Sequence, residues 1–136
     1  MTKELSKLEQ QIQKFMPFNE QEEHDKAILL KWIESGSDIL TRENEIAHLT
    51  ASAWVVSPDK KGVLMAYHNI YNSWAWLGGH ADGDADLHHV AQKEVMEESG
   101  LTHVKFLSDE PFSIEILSVD GHMKKGHYVS THLHLN

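Results

Sequence analysis

A pair of glycines, Gly78 and Gly79, joins a short stiff stretch, Trp74 to Leu77, to a helix that ends in three glutamates. This junction constrains the fold more than any other feature. Glycines reach backbone angles closed to other residues and let a loop approach a neighbouring group closely. The helix that follows spans about Ala85 to Ser99 and is stopped by Gly100. On a helical wheel Leu87, Ala91, Glu94 and Glu98 fall within about 60° of one another, and Glu97 shares the neighbouring arc with Val90. The stripe begins apolar and finishes acidic, which predicts first turns packed on a sheet and last turns opening into a cleft. Glu97 and Glu98 lie near the C-terminal end of the helix, where its dipole disfavours anions. Mutual repulsion adds to that penalty, and a divalent cation reverses both. Oxygen ligands select hard ions, Mg²⁺ or Mn²⁺, which handle phosphates.

The rest of the chain supplies a sheet for this helix and two helices before it. Leu5, Leu8 and Ile12 recur at helical spacing across Lys3 to Lys14, and Pro17 with Asn19 ends that segment. A second helix is predicted from about Glu20 to Ser35, with Ala27, Ile28, Leu30 and Ile33 as its apolar side and Gly36 as its stop. Asp38 to Glu45 is polar and reads as a turn or short helix. The period then changes. Leu49 to Val56, the turn SPDKKG and Val63 to Tyr67 read as a hairpin, followed by a turn at Asn69 to Ser73. Val104 to Leu107, Phe112 to Val119 and Tyr128 to Leu135 read as strands, the last two joined by DGHMKKG. The expected class is α+β, a mixed sheet with one central helix, preceded by two N-terminal helices. The expected division is an N-terminal helical extension over 1–44 and the main domain over 45–136.

With 136 residues and 40 % hydrophobic content the chain can build one real core. No apolar run is long enough to span a membrane and no secretory signal is evident, which fits a cytoplasmic protein. The absence of cysteine removes disulfides, thiol nucleophiles and Cys-based zinc sites. A formal net charge of −9 argues against a broad nucleic-acid surface, but not against a small phosphate substrate, because a bound metal inverts the local field.

From Gly79 to Leu101 the chain resembles a Nudix hydrolase. That signature runs Gly, five residues, Glu, seven residues, Arg-Glu, an aliphatic, any residue, Glu-Glu, any residue, Gly, an aliphatic. Gly79, Glu94, Val95, Glu97, Glu98, Gly100 and Leu101 occupy its positions, whereas Ala85 replaces the early Glu and Lys93 replaces the Arg. Asp82, Asp84 or Asp86 are candidates to replace the lost carboxylate. The resemblance implies a Nudix-like αβα sandwich with a loop-helix-loop catalytic motif. It further implies Mg²⁺- or Mn²⁺-dependent hydrolysis of a phosphoanhydride in a nucleoside diphosphate linked to another moiety. Glu94, Glu97 and Glu98 are then the catalytic carboxylates and, with the Gly79 carbonyl, the metal ligands. The substrate is a nucleotide-type small molecule. Family domains continue beyond a strand like HYVSTHLHLN, so the chain reads as incomplete at its C-terminus, with an exposed edge that favours a homodimer. A non-catalytic nucleotide-binding or interaction domain on the same fold is the alternative.

Further residues tempt a substrate role. His80 stands beside the glycines. His132 and His134 share one side of a strand, opposite Thr131, Leu133 and Leu135, and such a pair can bind zinc or a phosphate. Trp74 and Trp76 read as core packing first, with base stacking as the second reading for both and Trp76 as the substrate candidate. Trp32 and Trp54 read as packing residues. Lys93 keeps the positive charge of the arginine it replaces but not its bidentate fork. His88 and His89 face different directions. Lys124 and Lys125 lie in a turn and meet an anion only where that hairpin borders the cleft.

Overall fold

The computed structural model describes residues 2–136. Helix α1, Lys3–Lys14, is capped by the Thr2 hydroxyl, which accepts from the Leu5 N–H, and it buries Leu5, Leu8 and Ile12 as the period predicts. Helix α2, Glu20–Glu34, is capped by Asn19, whose side chain accepts from the Glu22 N–H. Its buried residues are Glu22, Leu29 and Ile33, whereas Ala27 and Ile28 are exposed. The expected apolar side is therefore rotated. The stripe that packs is set by Leu29 and Ile33, one turn apart, with Leu30 and Trp32 at its margins.

Ten strands follow: β1 Ala47–Ala53, β2 Val55–Val56, β3 Val63–Leu64, β4 Ala66–His68, β5 Ser73–Ala75, β6 Leu77–His80, β7 Ile116–Val119, β8 His122–Lys124, β9 His127–Val129 and β10 His132–Leu135. Helix α3, Leu87–Ser99, lies between β6 and β7. The central sheet has the order β6-β1-β10-β7, and β2-β3, β4-β5 and β8-β9 form three small hairpins. Strand β1 runs parallel to β10 and antiparallel to β6, and β7 is antiparallel to β10, so the sheet is mixed. The α+β architecture with two leading helices and one later helix is as expected.

Register assigns the two faces. Ala47 lies opposite Leu133, Leu49 opposite Leu135, Ala51 opposite Gly79 and Leu135 opposite Ile116. Alternation places these residues on one face. That face carries the main core, in which Leu5, Leu8, Ile12, Leu29 and Ile33 of the first two helices meet Ala47, Leu49 and Leu135. Beside it, Val90 and Ala91 of α3 pack on Ala51, and Leu87 touches both clusters. All three helices thus cover the same face, where the sandwich implied by the resemblance has a helix layer on each. The other face carries His48, Thr50, Ser52, His80, His132 and His134, which no helix covers among the described residues.

Several expected elements are corrected. Val104 to Leu107 forms no strand; Phe106 stacks on the His88 ring of α3 instead of joining the sheet. The strand expected from Phe112 begins only at Ile116, because Phe112 is exposed and the ladder with β10 starts opposite Leu135. Tyr128 to Leu135 is two strands, since β9 folds back on β8 and only β10 enters the central sheet. The aromatic stretch before the glycines is broken at Trp76 between β5 and β6, and Trp54, Trp74 and Trp76 are exposed rather than core residues. Trp74 packs edge-on against Tyr67 across the β4-β5 hairpin, and Trp32 packs against the core as expected. Among the described residues no helix is long and apolar enough to cross a membrane.

Candidate functional site

On the helix-bearing face, β6 and α3 meet at Gly79. A Cβ at that position would lie 2.5 Å from Cδ of Glu94, so only glycine allows the carboxylate to sit against the strand. The Gly78 N–H donates to Oε1 of Glu98 at 3.1 Å. Burial raises the Glu94 pKa, and the charges of Glu97 and Glu98 raise it further. Glu97 and Glu98 themselves are exposed. The expected metal residues Gly79, Glu94 and Glu98 thus meet at one junction, and Glu97 lies on the adjoining turn, with its charge felt at Glu94. Carboxylate oxygen is the donor type a hard cation takes, but the oxygens of Glu94, Glu97 and Glu98 do not all lie within 4.8 Å of one another, so the three acids share a junction without converging on one point.

The loop before α3 is held by aspartates. Asp86 caps the helix by accepting from the His89 N–H. Asp84 accepts from the Asp86 N–H at 2.9 Å and pairs with the His89 ring at 2.7 Å, which lowers the Asp84 pKa. Asp82 takes both guanidinium bonds of Arg42, each 3.0 Å. A loop-to-helix pairing therefore exists without a Glu at position 85, carried by Asp84 and His89. Lys93 is exposed and makes no ion pair among the described residues. His88 and His89 do face apart: His88 meets Phe106 and Asp109.

The opposite face gathers histidines. Ligand atoms of His48 on β1, His80 on β6 and His134 on β10 all lie within 4.8 Å of one another, the one such group of three among the described residues. The register explains the convergence: His48 sits opposite His134, and His80 opposite Thr50, one step along the same face. His132 joins through its Nε2, 3.2 Å from Nε2 of His134. His48 and His132 each place Nδ1 on a backbone carbonyl, Asn44 at 3.0 Å and Ser130 at 2.7 Å, and so donate there. Nε2 of His48 is buried with no hydrogen-bond partner. Burial lowers the pKa of His48, brings His80 to about 4 and brings His134 to about 3. His80 and His134 are therefore neutral at pH 7, the form that binds metal, and burial shifts His48 in the same direction.

Next to the histidines, Thr50 and Ser52 both donate to Oδ1 of Asn136, at 2.9 Å and 2.7 Å, and the Trp76 indole N–H donates to Ser52 Oγ at 3.0 Å. Of the residues expected to meet substrate, His80, His132, His134 and Trp76 therefore share the uncovered face, whereas Lys93 stands apart on α3. His48 was not anticipated. Its strand was expected to start at Leu49, two residues too late; the alternation of Ala47, Leu49 and Ala51 with His48, Thr50 and Ser52 was the available signal. A surface groove of about 1080 Å³ lies along the start of α2 between Pro17 and Leu30, and neither Glu94, Glu97 and Glu98 nor His48, His80 and His134 line it. No known family model matches the sequence, and no curated protein matches it.

Proposed function

We propose that this chain is a Nudix-type pyrophosphohydrolase, cleaving a phosphoanhydride in a nucleoside diphosphate linked to another moiety. One observation carries the reading: the Glu94 carboxylate occupies the space that any side chain at Gly79 would fill. Glycine and glutamate at the spacing of the signature are thus interlocked in space. Glu94, Glu97, Glu98 and the Gly79 carbonyl are the groups that would hold Mg²⁺ or Mn²⁺. Such an ion, when bound, neutralises the diphosphate and lowers the pKa of the attacking water. The chain itself orients the acids. The Gly78 N–H holds Glu98, the close β6–α3 contact holds Glu94, and the Asp86 cap with the Asp84–His89 pair fixes the first turn of the helix.

The test is a panel of nucleoside diphosphate derivatives incubated with the full chain and Mg²⁺ or Mn²⁺. Glu97→Gln removes charge at constant shape. Its expected loss in kcat/KM exceeds the roughly 10–100-fold typical of losing an outer partner of a metal ligand. Gly79→Ala, which pushes the flexible end of Glu94 away from the strand, is expected to lower kcat/KM by less than Glu97→Gln does. Full activity in Glu97→Gln overturns the assignment. The unpaired Lys93 favours a second reading, a nucleotide-binding domain without turnover. Nucleotide bound in calorimetry but never cleaved would decide for it.

A further inference from the structure

We infer that His48, His80 and His134 form a nitrogen-only site for a borderline divalent transition metal of the zinc class, on the sheet face opposite the carboxylates. The inference is independent of the hydrolase reading, because it uses other residues on another face.

The arrangement has the parts of a metal site and lacks those of simple packing. Three neighbouring strands each contribute one imidazole, and the ligand atoms already lie within 4.8 Å. Zinc–nitrogen bonds of about 2.0–2.1 Å place tetrahedral ligands roughly 3.4 Å apart. Side-chain rotation of about one ångström closes that gap. Nε2 of His48 is the second, independent observation. Its Nδ1–H is committed to the Asn44 carbonyl, so Nε2 presents a lone pair, and that lone pair is buried without a donor. An unmet buried acceptor is destabilising, and apolar rings would fill the same space without it. A metal satisfies it. A ring N–H fixed by a backbone carbonyl is also how metal-bound histidines are usually oriented.

Chemistry selects the ion. Imidazole suits zinc, copper, nickel and iron, whereas Mg²⁺ requires oxygen. The nearby oxygens are neutral hydroxyls, Thr50 and Ser52, held toward Asn136, and no carboxylate among the described residues joins the group. Three neutral rings contribute no negative charge, so a bound ion keeps its double charge. The half-exposed His80 and His134 leave its remaining position open to water or an anion. His132, whose Nδ1–H is bound by Ser130, accepts from His134 and holds that ring in place. It is a positioning residue.

The experiment uses chelator-treated full chain. Zn²⁺ titrated in the calorimeter is expected to bind at one equivalent with millimolar Mg²⁺ present, and Co²⁺ to give the visible absorption of a low-coordinate nitrogen site. His80→Ala and His134→Gln are each expected to weaken zinc binding by about 100-fold or more, and His132→Ala by roughly 10-fold. Glu97→Gln is expected to bind zinc as the parent does. Circular dichroism checks the fold of each variant. Imidazole ¹⁵N shifts of the parent on adding Zn²⁺ provide a readout that needs no substitution. Absence of saturable zinc binding, unchanged ¹⁵N shifts, or full affinity in folded His80→Ala would each overturn the site. Loss of binding in Glu97→Gln would do so as well, by moving the metal to the carboxylates.

Discussion

His80 and His134 couple the helix-free face of the sheet to pH. Arg42, His48 and Lys124 oppose a proton on His80 and Asp82 favours one, but burial is the largest influence, and it holds the ring near 4. For His134 burial again leads, followed by His80, His132 and His48, and the ring titrates near 3. In an unfolded chain both take up protons near 6.5. Between those values the unfolded state binds more protons than the folded one. Stability that is present above pH 6.5 is therefore lost as pH falls toward 4 and then 3. Glu94 works in the other direction. Its raised pKa gives stability at low pH that is lost as pH rises through the raised value. The expected outcome for metal-free protein is a urea midpoint that drops as pH falls from 6.5 to 4, with a shallower drop in His134→Gln. Equal slopes would contradict the burial of these rings. Position 79 shows how little at this scale is visible in a sequence. The glycine itself was legible as a junction, but the carboxylate that needs the missing Cβ was identified only by helical spacing, and its contact required the fold.

At the scale of elements, α2 completes the sheet. Strand β7 pairs with β10 on one side only. The Ile116 N–H of β7 donates to Oδ2 of Asp25, and the Ile114 N–H just before it donates to Oε2 of Glu22, at 3.1 Å and 3.3 Å. Glu22 also accepts from the Phe18 N–H at 2.7 Å. A helix thus satisfies backbone donors at a sheet edge that would otherwise seek another strand. Glu22→Ala leaves the Ile114 N–H at the sheet edge and the Phe18 N–H before α2 unpaired, and is expected to cost about 1–3 kcal/mol in urea unfolding, with unchanged far-UV dichroism. A loss below about 0.5 kcal/mol would mean that water replaces the carboxylate. From the sequence Glu22 is an ordinary acid in a first turn, favourable to the helix dipole. Its bond to the nearby Phe18 N–H does not mark it as buried, and the partner that ties it to the sheet, Ile114, lies more than ninety residues away.

For the whole molecule, the first two helices share the main core with the sheet, α3 packs beside it, and the clustered histidines span three of the four central strands. A ligand that ties β6, β1 and β10 together stabilises the fold as a unit. Zinc at a hundred times its dissociation constant adds about 2.7 kcal/mol. For a domain of this size that raises Tm by about 5 °C or more. His80→Ala is expected to show no such rise, and a parent protein whose Tm is indifferent to zinc would contradict the site.

Local chemistry determined what local chemistry can. The period of α1, the glycine stop of α3, the SPDKKG hairpin and the alternation of His132 with Leu133 were legible because each depends on neighbours a few residues apart. The tertiary structure alone decided that β1 lies parallel to β10, and that all three helices take the same face. It alone set His48 beside a histidine from the far end of the chain. Strand alternation states which residues share a face but carries no information on which strand lies alongside or in what register, and the site is made of that pairing.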